Sequence, residues 1–398
     1  MLLGVSGGIA AYKAALVARS LRTAGAEVSV ILTENATRFV GPDTFSALTG
    51  GPAHTSLWER PGDVLHVRLA REANVALVAP ATANVIAKLA HGLSDDLLSA
   101  ALLESTCPLV VAPAMHTGMW AHPATQGNVR TLRERGARIV GPVSGPLAHG
   151  DEGLGRLAEP EDVVAAVRAA IAPQDLAGRR ILITAGPTHE PIDPVRFLGN
   201  RSTGRMGIAI ADEALARGAS VTLVFGPGTV APPAAADVVP VETAEQMRDA
   251  VLARFDGNDA VVMAAAVADF RPKEVTDAKL KKEAGVPELL LEPTPDILAE
   301  LGERRSGRVL VGFAAETDQL ESAGRAKLAA KHLDLIVVNR VGREGTGFGS
   351  ETNEAMLLSA DGDDVPLERW TKAELARLVA DRLAALLRER PPSVGPGR

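Results

Sequence analysis

At 398 residues the chain is too long for one ordinary core, so two domains are expected; 46% hydrophobic and 23% charged residues are the balance of a folded protein, not a disordered one. A formal net charge of −7 offers no basic field for nucleic acid or anionic lipid, and the single cysteine, Cys107, excludes an internal disulfide framework and a Cys-x-x-Cys zinc motif. No apolar run reaches the ~18 residues of a spanning helix, and Met1-Leu2-Leu3-Gly4-Val5 is too short for a signal-peptide core, so a cytoplasmic protein without a membrane partner is expected.

The chain opens as one βαβ unit: strand Leu2 to Val5, a Ser6-Gly7-Gly8 turn, a helix from about Ile9 to Ala24 ended by Gly25, and strand Glu27 to Thr33. Strand Val75–Ala79 leads to a helix from Ala83, strand Leu109–Ala112 to one after Pro123, and Arg138–Val140 follows. Cys107, ahead of Pro108 and an apolar strand, reads as a buried structural thiol. Ala172-Pro173-Gln174-Asp175 then separates a terminal helix from a restart of the pattern: strand Arg180–Thr184, helix Thr203–Arg217, strands Ser220–Phe225, Ala260–Ala264, Val309–Phe313 and Leu335–Val338, and a hairpin at Ala355–Pro366. Short, wholly apolar strands alternating with helices predict parallel sheets covered on both faces. The domains are predicted at 1–174 and 175–390, with a disordered tail over 391–398.

Ser6-Gly7-Gly8, between a strand and a helix, suits a phosphate, since glycines let the backbone approach and the helix N-terminus offers unpaired N–H groups. Ala79-Pro80-Ala81-Thr82-Ala83-Asn84 repeats that geometry, and Thr82 and Asn84 either cap the helix or hold a ligand. Six of the eight histidines, His54, His66, His91, His116, His122 and His149, lie in the first 150 residues, but no close-spaced pair matches a metal motif.

Together with Gly4 to Lys13, Pro113-Ala114-Met115-His116-x-x-Met119-Trp120 and Gly150-Asp151-x-Gly153-x-Gly155-Arg156, these segments resemble the flavin-containing cysteine decarboxylases over residues 1–172. The resemblance implies a flavodoxin-like domain that binds FMN through Ser6, Gly7, Gly8, Thr33, Thr82 and Asn84. In that family the flavin oxidises a cysteine thiol to a thioaldehyde, CO2 leaves, and the reduced flavin returns the electrons. The family's catalytic histidine matches His66 in Leu65-His66-Val67-Arg68-Leu69-Ala70, and imidazole suits proton transfer near neutrality. His116 stands where the family has a carboxylate-holding asparagine, and His149 where it has a proton-donating cysteine. Both can still donate a hydrogen bond or a proton.

In the second half lysine is the telling residue. Only nine of the 42 basic residues are lysines, and four of them fall between Lys273 and Lys282. A lysine is a compact charge suited to a phosphate chain, although a solvated loop would look the same. The longer runs decide the reading: Asp193-Pro194-Val195-Arg196-Phe197-Leu198-Gly199-Asn200-Arg201-Ser202-Thr203-Gly204, Met263 to Pro272, Lys279-x-Lys281-Lys282, Pro295-Asp296-Ile297 and Val311 to Thr317 closely resemble phosphopantothenate–cysteine ligases of the CTP-using bacterial kind. The resemblance implies a Rossmann-like α/β ligase domain. In it Asn200 and Arg196 handle the phosphopantothenate and its acyl-cytidylate, while Ala265, Asp269, Lys279, Pro295, Asp296, Ile297, Leu298, Phe313, Lys327 and Lys331 form the CTP site. Lys327 and Lys331, four apart on a helix predicted over Asp318–His332, would share one face. Glu316 is read as a charge at that helix's start. Mg2+ is implied beside the nucleotide, with no ligands identifiable.

The two resemblances predict a bifunctional coenzyme A enzyme with small-molecule substrates, trimeric flavin domains and dimeric ligase domains. A working ligase carrying a non-catalytic, regulatory flavoprotein domain is the alternative, supported by the two histidine replacements. A dinucleotide dehydrogenase is excluded, because neither turn has Gly-x-Gly-x-x-Gly spacing.

Overall fold

The computed structural model describes residues 1–59, 62, 64–146, 152–281, 288–342, 350 and 352–390. His149, Lys282 and the tail from Pro391 lie outside the described residues. Contacts divide the chain into two compact units, Met1–Ala172 and Pro173–Arg398.

The first unit runs β1 (Leu2–Val5), α1 (Ala11–Thr23), β2 (Ser29–Leu32), α2 (Pro42–Thr49), β3 (Ala53–His54), α3 (Leu65–Glu72), β4 (Ala76–Ala81), α4 (Ala83–His91), α5 (Leu97–Glu104), β5 (Leu109–Pro113), α6 (Thr117–Ala121), α7 (Pro123–Glu134), β6 (Arg138–Ile139), the hairpin β7 (Val143–Pro146) and β8 (Glu152–Arg156), and α8 (Pro160–Ile171). Its main sheet has the order β3-β2-β1-β4-β5-β6 and is parallel throughout. Setting aside the two-residue edge strand β3, this is the flavodoxin-like order. The period of two along each strand splits the core into two layers. Leu3, Val5, Val30 and Leu32 pack under α1 and α8, while Leu2, Ile31, Ala76 and Val78 pack under α3, α4, α5 and α7.

The sequence reading passed over α2, α3, α5 and α6, none longer than eight residues. Helix α5, Leu-Leu-Ser-Ala-Ala-Leu-Leu-Glu, has little apolar periodicity to detect. What starts it is a capping box: Asp96 accepts the Ser99 N–H at 2.8 Å while Ser99 Oγ accepts the Asp96 N–H at 3.2 Å. Lys88 on α4 reaches the same carboxylate at 2.7 Å, which ties two helices together. Cys107 is only half-buried, because it sits ahead of β5 at a surface pocket and pairs with Ser105 Oγ at 3.1 Å.

The second unit runs β9 (Arg180–Ala185), the small hairpin β10 (His189–Pro191) and β11 (Phe197–Gly199), α9 (Arg205–Ala216), β12 (Ser220–Phe225), β13 (Asp237–Pro240), α10 (Ala244–Phe255), β14 (Ala260–Met263), the small pair β15 (Phe270–Pro272) and β16 (Leu291–Pro293), α11 (Ile297–Glu303), β17 (Val309–Glu316), α12 (Leu320–Ala330), β18 (Leu335–Arg340), β19 (Thr352–Ser359), β20 (Val365–Thr371) and α13 (Lys372–Arg388). Its sheet has the order β13-β12-β9-β14-β17-β18-β19-β20, parallel as far as β18 and antiparallel beyond. Ile181, Ile183 and Val311 face α9 and α13; Leu182, Val261 and Leu310 face α10, α11 and α12. Buried Arg217 binds α9 to α13 and to the chain entering β9 through Glu213 at 3.0 Å, Asp381 at 2.5 Å and Asp175 at 3.4 Å.

Three local expectations are corrected. Glu316 is the last residue of β17, which outruns its predicted end at Phe313. Helix α12 is two residues shorter at each end than predicted, so Lys331 is its C-cap rather than an internal residue. Helix α9 begins at Arg205, two residues later than predicted, with Gly204 as its N-cap in the left-handed conformation.

Asp96 titrates usefully. Burial raises its pKa, but the Lys88 ammonium and the Ser99 N–H outweigh that and hold it below the ordinary aspartate value. Its contribution is therefore present above the unfolded pKa of about 3.9 and is lost as pH falls through the lower folded value. Asp96→Ala is expected to cost roughly 1–2 kcal/mol, read as a lower melting temperature of the first unit at pH 7, with the gap to wild type closing in acid.

Candidate active sites

In the first unit, strand order reverses between β1 and β4, and open parallel sheets bind ligands at such a switch point, outside the strands' carboxyl ends. Ser6 staples the two turns that flank it. Its hydroxyl donates to Pro80 O at 2.7 Å and accepts the Thr82 N–H at 2.9 Å. The Ser6 side chain is thus committed to the protein, and the ligand-facing character of the turn falls to its backbone and to Gly7 and Gly8. Gly7 is required by contact: a Cβ there would stand 2.4 Å from Asn35 Cβ. Thr33 directly follows β2 and caps the next turn, accepting the Ala36 N–H at 3.3 Å. Thr82 caps α4 by accepting the Val85 N–H at 3.4 Å, and exposed Asn84 follows in the first helical turn.

The third turn on this rim follows β5. Ala114 N–H donates to Ala81 O at 3.0 Å and Met115 N–H to Gly155 O at 3.0 Å, so the Pro113–His116 segment is bound to both β4 and β8. Gly155 lies flat on it, since a Cβ would meet Met115 O at 2.1 Å. His116 is exposed and is the N-cap residue of α6. Helix α3 descends into β4, which brings its second residue, half-buried His66, to the same carboxyl-end rim. Cys107 stands at the opposite end of β5 from Pro113.

In the second unit a pocket of about 470 Å3 opens at the carboxyl ends of β14, β17 and β18, beside the start of α9. Asn200, Ala265, Asp269, Pro295, Asp296, Ile297, Leu298, Phe313, Lys327 and Lys331 all line it. Two buried threonines hold its floor: Thr184 Oγ1 accepts the Ala265 N–H at 3.1 Å, and Thr188 Oγ1 accepts the Ala268 N–H at 2.9 Å. Asn200 Nδ2 donates to Ala266 O and Val267 O at 3.2 and 3.0 Å, which leaves its oxygen as the outward acceptor. Lys327 pairs with Glu316 at 2.6 Å and Lys331 with Asp296 at 2.9 Å, so both cations are held at the rim by carboxylates. Asp296 also caps α11 through the Ala299 N–H at 3.1 Å.

Arg196 and Lys279 stand outside this pocket, and their two loops are tied to each other. Asp193, fully buried at its carboxylate, accepts the N–H groups of Val195 and Arg196 at 2.8 Å each and of Leu280 at 3.2 Å; Arg196 Nη2 donates to Leu280 O at 3.2 Å. Burial raises the Asp193 pKa, and those backbone donors with the Arg196 guanidinium bring it below the ordinary range. Ser202, Thr203 and Gly204 of the ligase-like run also line the pocket, and among its further lining residues the sequence reading gave no part to Arg205, Met206, Gly207, Asn339, Asn353 and Lys372. Lys372, one of the nine lysines, carried a compositional signal; Asn339 and Asn353 are single polar residues in strands, with none.

Two family descriptions match the chain end to end: "Flavoprotein" over residues 1–172 and "DNA/pantothenate metabolism flavoprotein C-terminal domain" over residues 176–387. The coenzyme A biosynthesis bifunctional protein CoaBC of Bacillus subtilis is 46% identical over 395 residues, 98% of this chain and 97% of that protein. This chain belongs to the CoaBC family. Its counterparts in Mycolicibacterium smegmatis, 46% identical over 98% of each chain, and Vibrio vulnificus, 42% identical over 97% of this chain and 98% of that one, agree.

Because the buried Asp193 carboxylate accepts the Leu280 N–H and positions Arg196, which donates to Leu280 O, Asp193→Ala is expected to loosen the loop before Lys281, which keeps its Thr276 bonds to Ile192 O. Limited trypsin digestion should cut at Lys279 and Lys281 several times faster than in wild type, with cleavage elsewhere unchanged.

Proposed function

We propose that the second unit joins 4'-phosphopantothenate to cysteine using CTP, and that the first unit decarboxylates the resulting 4'-phosphopantothenoylcysteine to 4'-phosphopantetheine using FMN. The observation that carries this reading is the full-length match to bifunctional coenzyme A proteins, joined to a pocket lined by ten of the residues the ligase resemblance names. The alternative of a non-catalytic flavoprotein head is not favoured, since the relatives named as bifunctional match both units at 46% identity.

For the ligase, the chemistry explains the residue types. A carboxylate is a poor acylating agent; attack of its oxygen on the α-phosphate of CTP forms a mixed anhydride and releases pyrophosphate. The cysteine amine then attacks the acyl carbon and CMP leaves. Asn200, whose Oδ1 is the outward acceptor, orients the acyl substrate. Lys327 and Lys331 exchange their carboxylate partners for phosphate oxygens, and Lys279 completes the cationic ring as its loop moves in. Arg196 serves the acyl substrate, and its tie to Leu280 couples that role to the loop. Among the described residues no three His, Cys, Asp or Glu side chains form a metal cage; Mg2+ with nucleotides is held largely by phosphate oxygens, so a site with only Asp269 and Asp296 still fits it.

For the decarboxylase, the Gly7-Gly8 turn, the α4 N-terminus, Thr33, Thr82 and Asn84 fit a flavin phosphate and its attached chain. When bound, FMN supplies the oxidation and the return of electrons. His66 moves the proton, while His116 orients the substrate carboxylate and His149 donates the final proton. The exposed apolar faces of Ile9, Tyr12 and Leu16 in one unit and of Val195, Phe197 and Phe270 in the other support trimeric flavin units and dimeric ligase units. A cytoplasmic location completes the reading; no helix among the described residues is long and apolar enough to cross a membrane.

Purified protein should be yellow, and should convert phosphopantothenate, cysteine and CTP to phosphopantetheine, CO2, CMP and pyrophosphate. His66→Gln is expected to keep the flavin spectrum and lose CO2 release by about 100-fold or more. Asn200→Ala should stop phosphopantothenoylcysteine formation, and Lys279→Ala should raise the CTP requirement. A colourless protein, or full ligation in both ligase variants, would sink the assignment of that head.

A further inference from the structure

One wall of the second unit's pocket is made by the antiparallel extension of the sheet, which no motif marks. There Lys372 Nζ donates to Asn353 Oδ1 at 2.6 Å, and Asn353 Nδ2 donates to Asn339 Oδ1 at 3.1 Å. Asn339 and Asn353 are 8% and 5% exposed, and all three residues line the pocket. Asn339 Nδ2 donates to no acceptor among the described residues.

The order of these bonds is dictated from one end. A primary amide has a donor end and an acceptor end, and two paired asparagines alone could point either way. A lysine ammonium can only donate. It fixes the Asn353 oxygen toward itself, which turns the Asn353 NH2 toward Asn339, which in turn leaves the Asn339 NH2 as the end of the chain. The charge at Lys372 polarises both amides, so that terminal N–H is a stronger donor than an isolated asparagine offers.

Helix directions identify what it would meet. Strand β9 leads into α9, and β20, two antiparallel steps from β18 and hence parallel to it, leads into α13. Both helices therefore begin at the pocket's end of the sheet, with Arg205 and Lys372 as their first residues. Their N-termini carry partial positive charge. The carboxylates lining the pocket, Asp269 and Asp296, come from the loops after β14 and β16 and not from this wall. The complementary group is an anionic oxygen acceptor.

We propose that Lys372 is a positioning residue of the ligase reaction: acting through Asn353, it sets Asn339 to donate to the phosphate chain of the nucleotide. This rests on the reading of the pocket as the CTP site. The reversed amide would aim the Asn339 oxygen at phosphate and repel it, so Lys372 selects the productive sense.

The test uses the full chain, with CTP, phosphopantothenate and cysteine varied in turn and pyrophosphate release measured. Lys372→Met should raise the KM for CTP about tenfold, leaving kcat and the other two KM values within about twofold, and Lys372→Arg should restore most of the loss. Asn339→Asp keeps the acceptor for Asn353 but turns a negative charge on the phosphates, so its CTP KM should rise at least as far; it decides the matter where Lys372→Met fails to fold. An unchanged CTP KM in either folded variant, or an equal rise in all three KM values, overturns the proposal while the nucleotide reading stands. A wild type that never saturates with CTP overturns both.

Discussion

In a parallel sheet every strand ends at the same edge, and the chain must reverse there before it can return. That edge is where backbone N–H groups and helix N-termini lack partners, so the loops are available for ligands once they are pinned to one another. Side-chain hydroxyls make the pins here. Ser6 joins the β1 and β4 turns, while Thr184 and Thr188 join the end of β9 and its following loop to the 265–268 loop. Each hydroxyl is buried and each satisfies a loop N–H that would otherwise be unpaired. Precision at the two rims comes from these contacts more than from the loops' own conformations.

The same rule separates residues that build a site from residues that meet a ligand. Ser6 belongs to a phosphate-binding type of turn, yet its hydroxyl spends both of its bonds on Pro80 and Thr82. Asp193 opens a long ligase-like run, yet its carboxylate anchors Val195, Arg196 and Leu280. Lys327 and Lys331 show the opposite case. Their partners Glu316 and Asp296 are partly exposed, and ion pairs of that kind are worth little, on the order of 0–1 kcal/mol. An incoming phosphate can displace such a partner at small cost.

What could be read from the residues divides along physical lines. Long apolar strands such as Arg180–Ala185 and Ala76–Ala81 announced themselves, because a strand covered on both faces has nowhere for a polar residue. Short helices such as α5 did not, since their start depends on a cap and their packing on partners distant in sequence. The ends of β17 and α12 were misjudged for a related reason. Strand pairing with β18 continues through Ala314, Ala315 and Glu316 at the pocket edge, where the large apolar side chains have given way to alanine and then to a charge. Local hydrophobicity does not report a ladder of backbone hydrogen bonds.

The sites divide likewise. Residues in contiguous runs, such as 263–272 and 295–298, were legible because one loop presents several of them at once. Asn339, Asn353 and Lys372 come from β18, β19 and the start of α13, and only the antiparallel register, with Asn339 opposite Ala355, brings the two amides within reach. Strand alternation turns Asn353 and Ala355 to the same face, so the amide two residues before Ala355 becomes the diagonal neighbour of Asn339. A site assembled by register leaves no spacing in the sequence, and a buried asparagine in a strand is informative only after its neighbours are known. Burying two amides beside a lysine is costly unless their bonds are made, and among the described residues the Asn339 NH2, at a residue that lines the pocket, has no acceptor.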